Sequence, residues 1–267
     1  MGLAAAWIDA FTDRPYGGNP AAVVRLDRPA ADPAMQALAR EFGLSETAFL
    51  LPEGDGWRLR WFTPATEVRL CGHATIASAW FLTEAGLAAR DVPIAFASRS
   101  GRLGARRDGD WIELDFPMRP VTPTEPPAGL ADAIGAWPLG CYAVDEDLLV
   151  ELASEAEVDR LTPDFAAIAA LPARGVMVTA QSAGPADFAS RFFVPRVGIP
   201  EDPVTGSAHC ALAPFWAARL GRAELTGVQR SARGGVVRVR LEGDRVHLAG
   251  RAVTIWRGEL AVELAPA

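Results

Sequence analysis

The strongest constraint on how this chain can fold is an internal repeat. Residues 60–64 read RWFTP and residues 191–195 read RFFVP; each is followed by a short polar loop and then a glycine that opens an apolar, helix-like stretch. Setting Gly72 against Gly206 aligns GHATIASAWF with GSAHCALAPF, which share Gly, three Ala and Phe. The same offset sets Asp108-Gly109-Asp110 against Glu242-Gly243-Asp244, each inside a stretch of alternating apolar residues, which is a hairpin signal. One such match is within chance. Three in order, two of them at one offset, indicate a duplicated unit.

The repeat predicts an α+β fold of two pseudo-symmetric domains, residues 1–118 and 119–267, with the last strand able to cross back to the first domain. The proline-rich stretch 117–128 (PMRPVTPTEPPA) reads as the linker between them. Alternation and β-branched content predict strands over 5–11, 21–25, 57–61, 111–116, 176–179, 190–193, 236–241 and 245–248. The helices opening at Gly72 and Gly206 are small and apolar almost all round, and a helix without a polar face is a buried one. Each domain is therefore expected to be a curved, mostly antiparallel sheet wrapped around one central helix.

Composition narrows the chemistry. All 26 basic residues are arginine, so a lysine Schiff base and a Walker-type phosphate loop are both excluded. A net charge of −7 gives no basic footprint for nucleic acid or an anionic membrane. No apolar run reaches the length of a membrane span, and MGLAAAWIDAF lacks the basic start of a signal peptide. The three cysteines (Cys71, Cys141, Cys210) are few, odd in number and far apart, which fits a reducing cytoplasm; Cys141 and Cys210 read as core. The three histidines show no metal-ligand spacing and there is no CxxC pair, so no metal is expected.

A helix N-terminus presents unpaired N–H groups and a partial positive charge, which suits a carboxylate. Two equivalent tips facing one cleft would form an anion site; alternatively each tip is capped by its own side chains and water. The loop after RFFVP is the longer of the two and carries Glu201 and Asp202 just before its helix, either as caps or as groups that orient a substrate. Cys71 and His73 flank the other helix start.

The segments DAFTDRPYGGNPAAVV (9–24), LSETAF (44–49), LCGHAT (70–75), EDPVTGSAH (201–209) and QRSARGG (229–235) closely resemble the phenazine-biosynthesis PhzF-like proteins, in the same order and over essentially the whole chain. That family belongs to the diaminopimelate epimerase fold superfamily. The resemblance implies the sheet-around-helix fold and a cofactor-independent isomerase acting on a small carboxylate-bearing substrate, with homodimerisation known among its members.

It also implies site residues. The glutamate that shuttles a proton between carbons matches Glu46, the site histidine His73 and the site aspartate Asp202. Substrate contacts match Asn19, Gly72, Gly206 and Ser207, with Ser231 and Arg233 at the cleft or merely in a turn leading to a strand. For Glu46 the physical expectation is that burial among apolar residues lifts a carboxylate toward neutrality, as a carbon-proton base requires; read without the family, a glutamate in such a stretch is more often a surface or capping residue. His73 is either a donor to charge developing on the substrate or a satisfied structural histidine.

Cys71 stands where related epimerases carry a catalytic thiol, but the second half has Thr205 at the equivalent place, so the two-thiol route is incomplete and Cys71 reads rather as a small buried cysteine. An epimerase using Cys71 with another base, and a non-catalytic binding member, remain as alternatives. LCGHAT also has Cys where phenazine-type members carry another small residue, which leaves the substrate itself unassigned.

Overall fold

The computed structural model describes residues 2–267. It divides into two compact units, one running to Asp115 and joined by Ala249–Ala267, the other Phe116–Leu248. In chain order the elements are β1 (Ala4–Ala10), β2 (Asn19–Arg25), α1 (Asp32–Phe42), β3 (Glu46–Glu53), β4 (Gly56–Phe62), β5 (Glu67–Val68), α2 (Gly72–Glu84), β6 (Ile94–Ser98), β7 (Gly101–Asp108) and β8 (Trp111–Pro117). There follow β9 (Thr122–Pro123), α3 (Leu130–Ile134), β10 (Gly140–Val144), β11 (Asp147–Glu151), α4 (Glu155–Arg160), α5 (Phe165–Ala170), β12 (Val176–Gln181), β13 (Phe188–Phe193), α6 (Gly206–Leu220), β14 (Glu224–Gln229), β15 (Gly235–Glu242), β16 (Arg245–Gly250) and β17 (Ala252–Glu259). The fold is α+β. Among the described residues no helix is long and apolar enough to cross a membrane.

In the first unit, β1 pairs antiparallel with both β2 and β17, so the last long strand of the sequence completes the sheet begun by the first. β2 runs parallel to β3, with Ala21 opposite Glu46, and β3 turns back antiparallel on β4. α2 packs against β1, β2, β3, β7 and β17. Its residues are buried nearly all round, as the apolar sequence predicts. The hydroxyls on this helix do not go unpartnered: Thr75 donates to the Cys71 carbonyl at 2.6 Å, Ser78 to Ala74 at 2.7 Å and Thr83 to Ala79 at 3.1 Å. Donation to the carbonyl four residues back is how a small polar side chain is accommodated inside a buried helix.

In the second unit α6 packs against β14 and β15. Pro214 lies inside α6 and has no N–H for the Cys210 carbonyl. That carbonyl instead accepts the backbone N–H of Arg119 at 3.1 Å. A buried acceptor thus keeps its partner, and the chain just after β8 is fastened to the helix. The Met118 N–H donates to Asp244 O and the Thr124 N–H to Cys141 O, while β9 pairs with β10. The proline-rich stretch read as a linker is therefore bonded backbone-to-backbone into the second unit. Prolines remove donors, but the residues between them still have theirs to place.

Both acidic-Gly-Asp triplets form hairpin turns. β7 and β8 pair with Asp108 opposite Trp111, and β15 and β16 flank Gly243-Asp244.

Candidate active site

The first candidate cluster is assembled from one strand and one helix of the first unit. Glu46 is the opening residue of β3. That strand is held by Phe49, which meets Phe62 edge-on with 5.5 Å between ring centroids, in a core shared with Met35 and Ala39 of α1. Cys71 is the N-cap of α2, in extended conformation (φ −148°, ψ 109°), and His73 lies in the first turn. Glu46 Oε2 lies 3.1 Å from His73 Nε2, with the Glu46 side chain 18 % exposed and that of His73 7 % exposed. The Cys71 sulfur is 3.5 Å from His73 Nδ1 and 4.0 Å from Nε2.

The electrostatics of this trio follow from burial and neighbours. Desolvation opposes a charged His73 ring, but Cys71 and Glu46 outweigh it and hold the imidazole well above its ordinary value. Burial pushes the Cys71 thiol up to about 11, with Glu46 adding to the rise and His73 opposing it. A thiol with that value is neutral near pH 7. The result is a ring held toward its charged form, 3.1 Å from Glu46 and beside a neutral thiol.

Asn19 opens β2, fully buried, and shares a strand face with Ala21, the register partner of Glu46. The DAFTDRPYGGNP segment before it is an irregular turn. Asp9, 1 % exposed, accepts the Tyr16 N–H at 2.8 Å, and Phe11 and Tyr16 both take positive φ. Gly18 (φ +62°) is required there, because a Cβ would run into the Ala10 carbonyl.

The second cluster surrounds the start of α6 in the other unit. Thr205 occupies the N-cap, as Cys71 does in α2, with a similar backbone (φ −114°, ψ 104°). Its hydroxyl donates to Asp202 Oδ2 at 2.6 Å. Gln229, the last residue of β14, binds both ends of this turn: its Oε1 accepts the Thr205 N–H at 2.9 Å, and its Nε2 donates to the Asp202 carbonyl at 2.7 Å. Gly206 is buried and Ser207 is exposed. Ser231 donates to the Pro203 carbonyl at 2.7 Å and so holds the loop that carries Asp202; Arg233 is half-buried in the turn that follows. Glu201 forms a two-pronged pair with Arg191 at 2.8 and 2.9 Å, a structural role that explains why only one of the two acidic neighbours faces Thr205. Gln229 was not singled out in the sequence. The available signal was a polar residue closing an alternating strand immediately before RSARGG.

The family model described as phenazine biosynthesis-like protein (PhzC-PhzF) matches residues 8–258. The chain belongs to the PhzF family. A relative named an uncharacterized isomerase in Pseudomonas aeruginosa is 50% identical over 256 residues, covering 95% of this chain and 96% of the relative. Among solved structures, a PhzF-family protein of Enterococcus faecalis superposes with a TM-score of 0.95 at 38% identity, covering 98% of this chain and all of that one. A protein described as a predicted epimerase of P. aeruginosa gives a TM-score of 0.75 at 24% identity, a likeness of fold. The PhzF and epimerase folds of these neighbours agree with the two-domain architecture expected from the repeat.

Proposed function

We propose that this PhzF-family protein is an isomerase that moves a proton between two carbons of a small, carboxylate-bearing, unsaturated or cyclic substrate, with Glu46 as the general acid and base. The names of its isomerase relatives support the reaction class. The observation that carries the assignment is the 3.1 Å pairing of Glu46 with a His73 held in its charged form. Glu46 uses one carboxylate oxygen to hold the imidazolium and has the other for chemistry. A C–H bond breaks toward that oxygen, and the electron pair moves into an enolate-like system. The proton then returns from Glu46 to a second carbon, so the substrate changes in bond position and not in composition. The His73 ring stabilises the charge that develops between the two transfers.

In the same proposal Asp202, Gly206 and Ser207 position the substrate, with Asn19 and Gly72 contributing contacts and Ser231 and Arg233 acting around the loop. The thiol route to epimerisation is less well supported, because Cys71 is held neutral by burial and Thr205 takes the matching place in the other helix.

The test is proton exchange. Candidate unsaturated acids incubated with the protein in deuterated water should incorporate deuterium or isomerise, as followed by NMR. Glu46→Gln should lower that rate by about 10²–10⁴-fold. Turnover undiminished in Glu46→Gln would overturn the assignment.

A further inference from the structure

The trio at the head of α2 has a second chemical reading. One sulfur, one imidazole nitrogen and one carboxylate oxygen, contributed by Cys71, His73 and Glu46, all lie within 4.8 Å of one another. We propose that these three side chains form a binding site for a zinc-class divalent cation, with a fourth position open toward solvent, and that occupancy switches the protein off.

The distances fit such an ion. Zn–S near 2.3 Å and Zn–N or Zn–O of about 2.0–2.2 Å place tetrahedral donors roughly 3.3–3.6 Å apart. With Nε2 as the ligating nitrogen, the cluster offers 3.1 Å to Glu46 Oε2 and 4.0 Å to the Cys71 sulfur, so the sulfur has to close by about half an ångström. Small side-chain rotations convert one arrangement to the other. Charge also balances: a thiolate and a carboxylate neutralise the ion, and the ring binds as the neutral ligand. Binding displaces the Cys71 thiol proton and the imidazolium proton to water, and no bond to carbon changes. The partial exposure of Glu46 supplies the entry side. Soft and borderline donors of this kind select zinc, cobalt or copper over magnesium or calcium. The sequence concealed the site because two ligands sit in a Cys-x-His step while the third comes from a distant strand.

Inhibition rests on the proton-transfer reading, since an ion held by Glu46 removes the base; metal binding does not. Cobalt(II) added to the chelator-treated protein should bind once per chain and produce the near-ultraviolet thiolate-to-cobalt charge-transfer band, which Zn²⁺ then abolishes by competition. Cys71→Ala or Cys71→Ser, checked for native circular dichroism, should lose the band and weaken cobalt binding by more than about 100-fold. The Cys141→Ala/Cys210→Ala double variant should retain both. No band in the native protein, or a band that survives in both Cys71 variants, overturns the site. A band that follows Cys71 while Glu46→Gln stays fully active would sink the proton-transfer reading and leave the metal site standing.

Discussion

His73 sits between the Cys71 thiol and the Glu46 carboxyl group. Burial keeps Cys71 protonated, while the ring between the two is held well above its ordinary value. His73→Asn keeps a donor but no charge, and it should lower kcat by about 10²–10³-fold with a much smaller change in KM. Steady-state rates on an isomerised acid would check this; an unchanged kcat would reduce His73 to a scaffold residue. Legibility at this scale divided along chemical lines. Cys71, His73 and Glu46 stood in recognisable segments and occupy one cluster. Gln229 did not stand out, because its work is to bind a backbone N–H and a backbone C=O across a long sequence separation. That role leaves no local pattern.

Among the elements, every strand expected from alternation is present, and the two buried helices begin at Gly72 and Gly206 as expected. β3 was missed. Its sequence ETAFLLPE is a continuous apolar run with acidic ends, and periodicity alone does not separate such a run from a short helix. The proline-rich stretch was misread for a different reason: composition reports missing donors and cannot show where the remaining ones go. Close packing around α6 gives a prediction at this level. A Cβ on Gly227 would lie 2.5 Å from the Phe188 ring and 3.0 Å from His209 Nε2. Gly227→Ala should therefore destabilise the protein by about 1–3 kcal/mol, read as a lower denaturation midpoint at constant slope.

At the scale of the whole molecule, stability should depend on acid through His209. This ring is fully buried beside Phe188, its Nδ1 lies 2.8 Å from the Thr205 carbonyl, and its Nε2 has no partner. Burial pulls its pKa down to about 4 from 6.5, against a smaller upward effect of the Thr205 carbonyl. Between these values the unfolded chain holds a proton that the folded one does not. The contribution is therefore complete above pH 6.5 and disappears as pH falls toward 4, a loss of about 3 kcal/mol. Denaturant titrations at pH 7 and pH 4.5 would measure it, and His209→Leu should flatten the difference.

The return of β17 to lie along β1 carries a consequence for how the protein is made. As the chain leaves the ribosome, everything needed for the second unit emerges in one uninterrupted run, whereas β1 waits beside a missing neighbour until the whole second unit and then β17 have appeared. A fragment ending at Met118 should stay unfolded by circular dichroism, and adding a peptide of residues 249–267 is the direct way to ask whether that vacant edge alone withholds the native state.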